Sequence, residues 1–346
     1  MITAIDFGCH TIRSAFRTSS DPSSITLFAE RSEYAVLPGQ ESHRQALCER
    51  QISFGECDDS LVVFGNRAAQ VRWLSRKPCA PLFTDGGVPT TDAPARQLLH
   101  VLTQAMLPQD LGESDVCCFT VPGGKKKSDS SEFLSRLIRM HGLEPVPVSS
   151  AEAAVLASGG ETKFTGITIV LGAESSEISV CRYGVELASE TLPVGANWID
   201  VEIARQFKFQ VWDESGECYL DLQAVREWKS NDRIHLRNGV GEREKTLARL
   251  YGAVLNQIAR AVRQLLHSPA VKSALGNERL GVVCAGGPTQ IHGFSGAMTE
   301  RFVDHDVASE ILSVKTVEAP ANAVVRGLLI YGELEQRRLS RRKSAA

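Results

Sequence analysis

Apolar residues alternate with small or polar ones in two short segments that lie about half a chain apart. The first segment, residues 4–16, consists of two alternating runs around Gly8. The second has the same form, with alternating runs over 167–171 and 177–181 on either side of Gly172. This period predicts β-strands, and a short glycine-containing link between two strands predicts a hairpin. Two related hairpins suggest a duplicated fold with a ligand site between its halves.

Between and after the hairpins, apolar residues recur at the spacing of amphipathic helices. Runs of β-branched and apolar residues between these helices predict further strands, and their alternation indicates an α/β fold. The predicted elements are strands over 116–121 and 280–285, and helices over 90–108, 201–208, 220–230 and 243–267, through Phe133–Leu137, and from Ala321 through Leu328.

The first hairpin places an acid, Asp6, at the end of a strand and Gly8 two residues later. A glycine at this position allows the backbone to turn closely around a phosphate group. The same pattern also suits an ordinary hairpin turn. The pattern alone therefore leaves both interpretations open.

A glycine pair, Gly286-Gly287, directly follows the predicted strand 280–285. Such a pair permits the close approach of a flat ligand, and a helix after it would offer its N-terminal amides. The alternative is a tight strand-to-helix turn with no ligand. His292, a few residues later, is interpreted as a surface or turn histidine because no second metal-type ligand lies at helical spacing from it.

Composition changes this picture only slightly. The chain has 346 residues, of which 43% are hydrophobic, and this length suggests two domains of ordinary size. The formal net charge of -3 gives no reason to expect nucleic acid as a partner. Nine scattered cysteines, with Cys117 and Cys118 adjacent on a strand, favour buried thiols in a reducing compartment over a disulfide framework. No apolar run reaches about 18 residues, and we expect a cytoplasmic protein.

Taken in order, these motifs resemble the actin, heat-shock chaperone and sugar-kinase superfamily, and within it the bacterial actin MreB. The resemblance covers nearly the whole chain. The matching segments are IDFGCHTIR, LVVFGNRAAQ, FTDGGVPTTD, CCFTVP, VSSAEAAVLASG, GITIVLGAESSEISV, LPVGANWIDVEIARQF, VREWKS, VVCAGGPTQIHGF and APANAVVRGLLI.

The resemblance implies a duplicated α/β fold of the actin and ribonuclease-H type, with a nucleotide cleft between its halves. The first half would cover residues 1–160, with a small inserted subdomain at about 30–85. The second would cover 161–335, with a small subdomain at about 205–250, before a basic tail at 336–346.

The resemblance also implies ATP or ADP with Mg²⁺ as the cofactor. The implied contacts are Asp6 with the hydrated metal, Gly8 and Cys9 with the phosphates, Gly172 and Ser175 in the second phosphate hairpin, Lys229 with the ribose or adenine, and Gly286 and Gly287 beside the adenosine.

The departures from the family pattern lie at the positions that would hold the metal, contact the phosphates and orient the attacking water. The second metal-facing aspartate of the family falls on Val170, which has no oxygen for Mg²⁺. Glu174 replaces a loop glycine, and a carboxylate about 4 Å from a phosphate oxygen opposes binding by roughly 4 kcal/mol at an effective dielectric near 20. The glutamate that orients the attacking water falls on Ser150, and Glu152 is expected to face elsewhere on the helix.

Lys229 is retained, but the position three residues earlier, where the family has the partner of this lysine, is Arg226 in this chain. The nearest acid along the sequence is Glu227. Phosphoryl transfer depends on positioning and on charge neutralisation, so these losses predict no ATPase activity or a very weak one. We therefore expect an MreB-like cytoskeletal or scaffold protein for cell shape or division that self-associates into filaments. The alternatives are a monomeric partner-binding pseudo-ATPase, a chaperone-like protein and a sugar-kinase-like enzyme.

Two basic runs remain. Lys125-Lys126-Lys127 is interpreted as a solvated loop. The C-terminal run is either a solvated end or a peripheral contact with an anionic membrane, to which each charge near the lipid contributes about 1 kcal/mol. Its members are Arg337, Arg338, Arg341, Arg342 and Lys343.

Overall fold

A computed structural model describes residues 2–17, 24–108, 115–124, 128–231 and 234–344. The run Lys125-Lys126-Lys127 lies outside these residues, so its interpretation as a loop stays a prediction. The strands of the described chain are β1 (Ile2–Phe7), β2 (Thr11–Phe16), β3 (Thr26–Arg31), β4 (Glu33–Pro38), β5 (Gly55–Cys57), β6 (Ser60–Phe64), β7 (Ala80–Pro81), β8 (Val116–Phe119), β9 (Glu144–Pro147), β10 (Gly166–Leu171), β11 (Ser176–Arg182), β12 (Val185–Leu192), β13 (Gln210–Trp212), β14 (Cys218–Leu220), β15 (Leu280–Ala285) and β16 (Ile311–Thr316).

Helices lie between and over these strands. They are α1 (Glu41–Glu49), α2 (Arg72–Ser75), α3 (Ala93–Met106), α4 (Ser128–Met140), α5 (Ser150–Ser158), α6 (Ala196–Gln206), α7 (Leu222–Lys229), α8 (Glu242–Leu266), α9 (Pro269–Leu275), α10 (Phe294–Asp304) and α11 (Ala323–Ser344).

Two five-stranded sheets have the same topology. Their orders are β3-β2-β1-β8-β9 and β12-β11-β10-β15-β16. In each sheet the first three strands pair antiparallel as a meander, and the last two add parallel to the first strand of the hairpin. The duplication that the two hairpins predict is therefore confirmed. The order of the helices along the chain repeats as well: α3, β8, α4, β9 and α5 in the first half correspond to α8, β15, α10, β16 and α11 in the second, where α9 is added before β15.

The two halves meet through the helix pair α5 and α11. Small buried residues such as Ala4, Ala153 and Ala285 form the cluster around this pair. A Cβ atom at Gly327 of α11 would lie 1.7 Å from the Ala153 carbonyl oxygen, so only glycine permits this approach. The last helix thus returns the chain to the first sheet, and this contact sets the position of one half against the other.

Each half carries an insertion at the same point of its topology. In the first half, a four-stranded sheet of order β5-β6-β4-β7 separates β3 from α3. In the second half, α6, the hairpin β13-β14 and α7 separate β12 from α8. The residue boundaries that the resemblance implies for the domains and subdomains stay a prediction.

Several element boundaries differ from those predicted. The helix expected from residue 201 begins at Ala196, because the chain turns into it directly after Gly195. The glycine pair is not followed at once by an α-helix: a short 3-10 turn, Gly287–Gln290, comes first, and α10 begins at Phe294. The basic tail expected after residue 336 is the continuation of α11, in which Arg337 and Arg338 are exposed. The side chains of residues 339–344 lie outside the described part of the chain.

Candidate functional site

A cavity of about 450 Å³ lies between the two hairpins. Its size is in the range of small-molecule sites in proteins. The residues predicted from the sequence all line it, although they come from distant parts of the chain. They are Asp6, Gly8, Cys9, Ser150, Val170, Gly172, Ser175, Lys229, Gly286 and Gly287.

Asp6, the last residue but one of β1, lines this cavity. Its Oδ1 accepts a hydrogen bond of 2.8 Å from the Thr120 hydroxyl, which in turn accepts one of 3.0 Å from the Phe7 amide. Burial raises the pKa of Asp6, while the positive charge of Arg13 and the bond from Thr120 act in the opposite direction. Arg13 is the residue of β2 that pairs with Asp6 across the hairpin, and it also lines the cavity.

Two of the predicted glycines are explained by the backbone itself. A Cβ atom at Gly8 would lie 2.6 Å from the Thr11 carbonyl oxygen, and one at Gly286 would lie 2.1 Å from that of Leu171. Gly286 also has a φ of 98°, which side chains rarely permit. Gly287 differs, since the nearest atom to its Cβ would be the Gln290 amide nitrogen at 4.0 Å. Gly287 is therefore the member of the pair that leaves space beside the cavity.

The loop of the second hairpin is tied to α6. The Gly172 amide donates to the Ser175 carbonyl at 2.9 Å, which closes the loop on itself. The Gly172 and Ala173 carbonyls accept hydrogen bonds from the Ala196 and Asn197 amides at 3.0 and 2.8 Å. These bonds occupy the first turn of α6 and fix the loop at the edge of the cavity.

Val170 is buried at the position where the family pattern has an acid. Its partner across the second hairpin is Glu177, a residue that the sequence reasoning did not select. The Glu177 carboxylate accepts hydrogen bonds from the Ser150 amide at 2.9 Å and from the Ser150 hydroxyl at 2.8 Å. Burial raises the pKa of Glu177, although these hydrogen bonds act against the shift. The available sequence signal was an acid in a strand that includes the apolar residues Ile178 and Val180.

This arrangement fits Mg²⁺ poorly. Val170 offers no oxygen, the Glu177 carboxylate is already bonded at the first turn of α5, and one oxygen of Asp6 is bonded to Thr120. Among the described residues, no cluster of three or more His, Cys, Asp or Glu side chains is arranged to hold a metal ion. The family's metal site is therefore not reproduced by these side chains.

Ion pairs and hydrogen bonds connect the charged side chains on another side of the cavity. Lys229 and Arg226 both pair with the buried carboxylate of Asp200, the latter through its Nε at 3.1 Å. Arg226 also donates to the Asn197 side chain at 3.0 Å, and Asn197 donates to the Glu174 carboxylate. Glu174 is thus held by α6 while it lines the cavity.

The ionic partner of Lys229 differs from the one nearest in sequence. Glu227 lies on α7 and accepts a hydrogen bond from Gln223 at 2.7 Å, whereas Lys229 contacts Asp200 of α6. Spacing along α7 could not reveal this pair, because the acid belongs to another helix.

His10 follows the first phosphate-type turn and also lines the cavity. Burial, and after it the positive charges of nearby cations, lowers the pKa of His10 to about 3. These cations are Arg226, Arg31, Arg13 and Lys229. The imidazole is therefore neutral at physiological pH and lies in a region of positive potential.

The neutral, half-buried His10 should make stability fall as the pH decreases. Its usual pKa of 6.5 is lowered to about 3 on folding, so the unfolded chain takes up the proton first. The stabilisation is complete above pH 6.5 and is lost toward pH 3. At about pH 5 the free energy of unfolding should therefore be lower by about 1 to 2 kcal/mol than above pH 6.5. Urea unfolding of the wild type and His10→Asn at about pH 7.5 and about pH 5 measures this. Equal losses in the two proteins would contradict it.

Side chains also bridge the two halves outside this cavity. Each bridge joins the first half, between β3 and the segment after α2, to the β13-α7 region of the second. The bridges are Arg72 to Asp221 at 2.6 Å, Arg31 to Gln223 at 2.6 Å and Lys77 to Asp213 at 3.2 Å. They connect the two halves without any bound molecule.

A family model described as Volactin matches residues 1–331. The chain belongs to the volactin family. No curated protein matches this volactin-family chain. Solved structures do match it over almost its entire length, although with low sequence identity.

The MamK double helical filament covers 96% of this chain and 98% of its own, with 16% identity and a TM-score of 0.69. MreB 5 of Spiroplasma citri bound to AMPPNP covers 98% of each chain, with 14% identity and a TM-score of 0.70. The ethanolamine utilization protein EutJ from Carboxydothermus hydrogenoformans covers 95% of this chain and 89% of its own, with 15% identity and a TM-score of 0.53. The fold of the volactin-family chain is therefore that of the actin-like ATPase superfamily, as the motifs predict.

Within the described residues, no helix of the volactin-family chain combines the length and the hydropathy that a membrane span requires.

Proposed function

We propose that this chain is an actin-like cytoskeletal or scaffold subunit, concerned with cell shape or division, in which ATP hydrolysis is lost or very weak. One observation carries the proposal. At the position where the family pattern has a water-orienting acid, the Ser150 hydroxyl donates to a buried carboxylate at 2.8 Å. The hydroxyl is thus engaged within the protein, and Val170 lies beside it in place of a metal ligand. The framework of the fold is retained around a site that lacks both groups.

A nucleotide remains the proposed ligand. The cavity has a suitable volume, Gly287 leaves space beside it, and cations of both halves line it. MreB 5 is bound to AMPPNP in one structure and to ADP in another. In this chain, Lys229 and Gly287 would lie toward the nucleoside, and Arg13 and Cys9 toward the phosphates of ATP or ADP.

Self-association into filaments is the second part of the proposal. MamK is similar over nearly the whole chain and is described as a double helical filament. In this chain the halves are bridged by ion pairs such as Arg72 to Asp221, which do not require a ligand. Assembly should therefore not depend on a nucleotide to bring the halves together. For the basic end of α11, contact with an anionic membrane stays a proposal.

Assembly should be independent of the nucleotide state. A subunit that cannot distinguish ATP from ADP has no differential binding energy with which to shift its conformation. Pelleting and negative-stain microscopy of the purified protein with ATP, with ADP and with neither nucleotide test this. We expect filaments in similar amount in all three samples.

Two results would contradict the proposal. Filaments with ATP and none with ADP would mean that the site discriminates between the nucleotides. A monomer at every concentration and in every sample would favour a partner-binding pseudo-ATPase.

A further inference from the structure

Arg13 occupies an unusual place beside the first phosphate-type turn. It lies on β2 directly opposite Asp6, and the paired residues of an antiparallel hairpin project from the same face of the sheet. Both residues line the cavity. A permanent positive charge therefore lies next to Asp6, the one metal-facing acid of the family pattern that this chain retains.

Further cations surround the same turn. Arg226 and Lys229 share a single acid, Asp200, so this group of three side chains carries a net positive charge. Together with Arg13 they lie close enough to His10 to disfavour its protonation. Three cations thus line the cavity near the turn before any metal binds.

The opposite side of the cavity offers little to a divalent ion. Val170 lies there without an oxygen, and both oxygens of its cross-strand partner Glu177 accept hydrogen bonds from Ser150. A hydrated Mg²⁺ needs near-octahedral oxygen ligands and is usually anchored by one or two carboxylates. The residues present thus disagree with the metal that the fold family implies.

We propose that this cleft binds the phosphates of a nucleoside diphosphate or triphosphate without a divalent metal, with the Arg13 guanidinium in the place of the ion. The inference rests on the proposed nucleotide site and specifies how that site neutralises its ligand. A guanidinium keeps its charge at every physiological pH and offers a planar set of donors that matches two phosphate oxygens. Arg226 and Lys229 add to the positive field from α7.

Calorimetric titration of the full chain with ADP, once in EDTA and once in MgCl₂, tests the inference. We expect MgCl₂ to leave the affinity unchanged or to weaken it, because no side chain of the site coordinates the ion and Mg²⁺ on the ADP phosphates competes with the Arg13 guanidinium. Arg13→Met should weaken binding in EDTA by about tenfold or more, because a charge-assisted bidentate contact is lost, and Arg13→Lys should recover part of it. Arg17→Met is the matched control, because Arg17 pairs with Glu333 at 2.9 Å and does not line the cavity.

The outcomes separate this inference from the function on which it rests. A tightening of about tenfold or more by Mg²⁺ in the wild type would overturn metal-free binding and leave the nucleotide site intact. Unchanged binding in folded Arg13→Met would remove the role of Arg13. If the wild type binds no ADP in either buffer, both the inference and the proposed nucleotide site fail. The comparison of buffers uses only the wild type, so it does not depend on the folding of a variant.

Discussion

ATP added to the purified protein should release phosphate no faster than ATP in buffer. A positioned acid or base contributes about 10² to 10⁴ in rate, and that group is absent at Ser150, whose hydroxyl is bonded to Glu177. Catalysis of phosphoryl transfer also needs the developing charge to be neutralised, and Val170 cannot hold the ion that does this in the family. Release of phosphate over hours, with an active bacterial actin as the positive control, measures the rate.

The same assay identifies what is missing. Ser150→Glu alone should stay near background, because it supplies the acid without a metal ligand at residue 170. Turnover by the wild type at the rate of the bacterial actin would mean that another group orients the water. The interpretation of a degenerate site would then be wrong.

Nucleotide affinity should rise when the second hairpin is restored with Val170→Asp and Glu174→Gly. The glycine removes a carboxylate that lines the cavity and the bulk that accompanies it, so its gain of about tenfold should be present in EDTA. The aspartate acts through an ion, so its gain should require Mg²⁺. Titration of each single variant and of the double variant with ATP, in both buffers, separates the two effects.

Matched variants separate charge from size. Glu174→Gln keeps the bulk and removes the charge, and Val170→Asn keeps the size of aspartate without its charge. Because Val170 is buried and lies opposite Glu177, an aspartate there should lower the melting temperature in EDTA, and Mg²⁺ should recover part of the loss. If the folded double variant binds ATP as the wild type does, these residues are not at the phosphates, and the vestigial site is misplaced.

Much of the fold was predictable because its signals are local. The two hairpins follow from alternation within about a dozen residues, and β15 was predicted at its observed bounds, Leu280–Ala285. The long helix α8 was predicted within one residue at each end from its apolar period. Helix starts were predicted less well at α6 and α10, where the chain enters from turns that depend on contacts with other segments.

The positions that line the cavity were also predictable, because the ordered motifs carry them and the repeated topology brings the two hairpins together. Their partners were not predictable in the same way. Glu177 of β11 accepts a hydrogen bond from Ser150 of α5, and Asp200 of α6 pairs with Lys229 of α7. Nothing in the spacing of either residue indicates these contacts.

The sequence by itself thus determined the α/β class and the duplication, which depend on periodicity, and the resemblance of its ordered motifs implied the residues that enter the cleft. Only the tertiary structure decided what those residues do. Contacts between backbone atoms require glycine at Gly8 and Gly286, and Lys229 forms its ion pair with Asp200. Arg13 lines the cavity beside Asp6. The physical reason is that hydrogen bonds and ion pairs act over a few ångströms in space. The segments that they join are far apart along the chain, and their separation in sequence does not predict the contact.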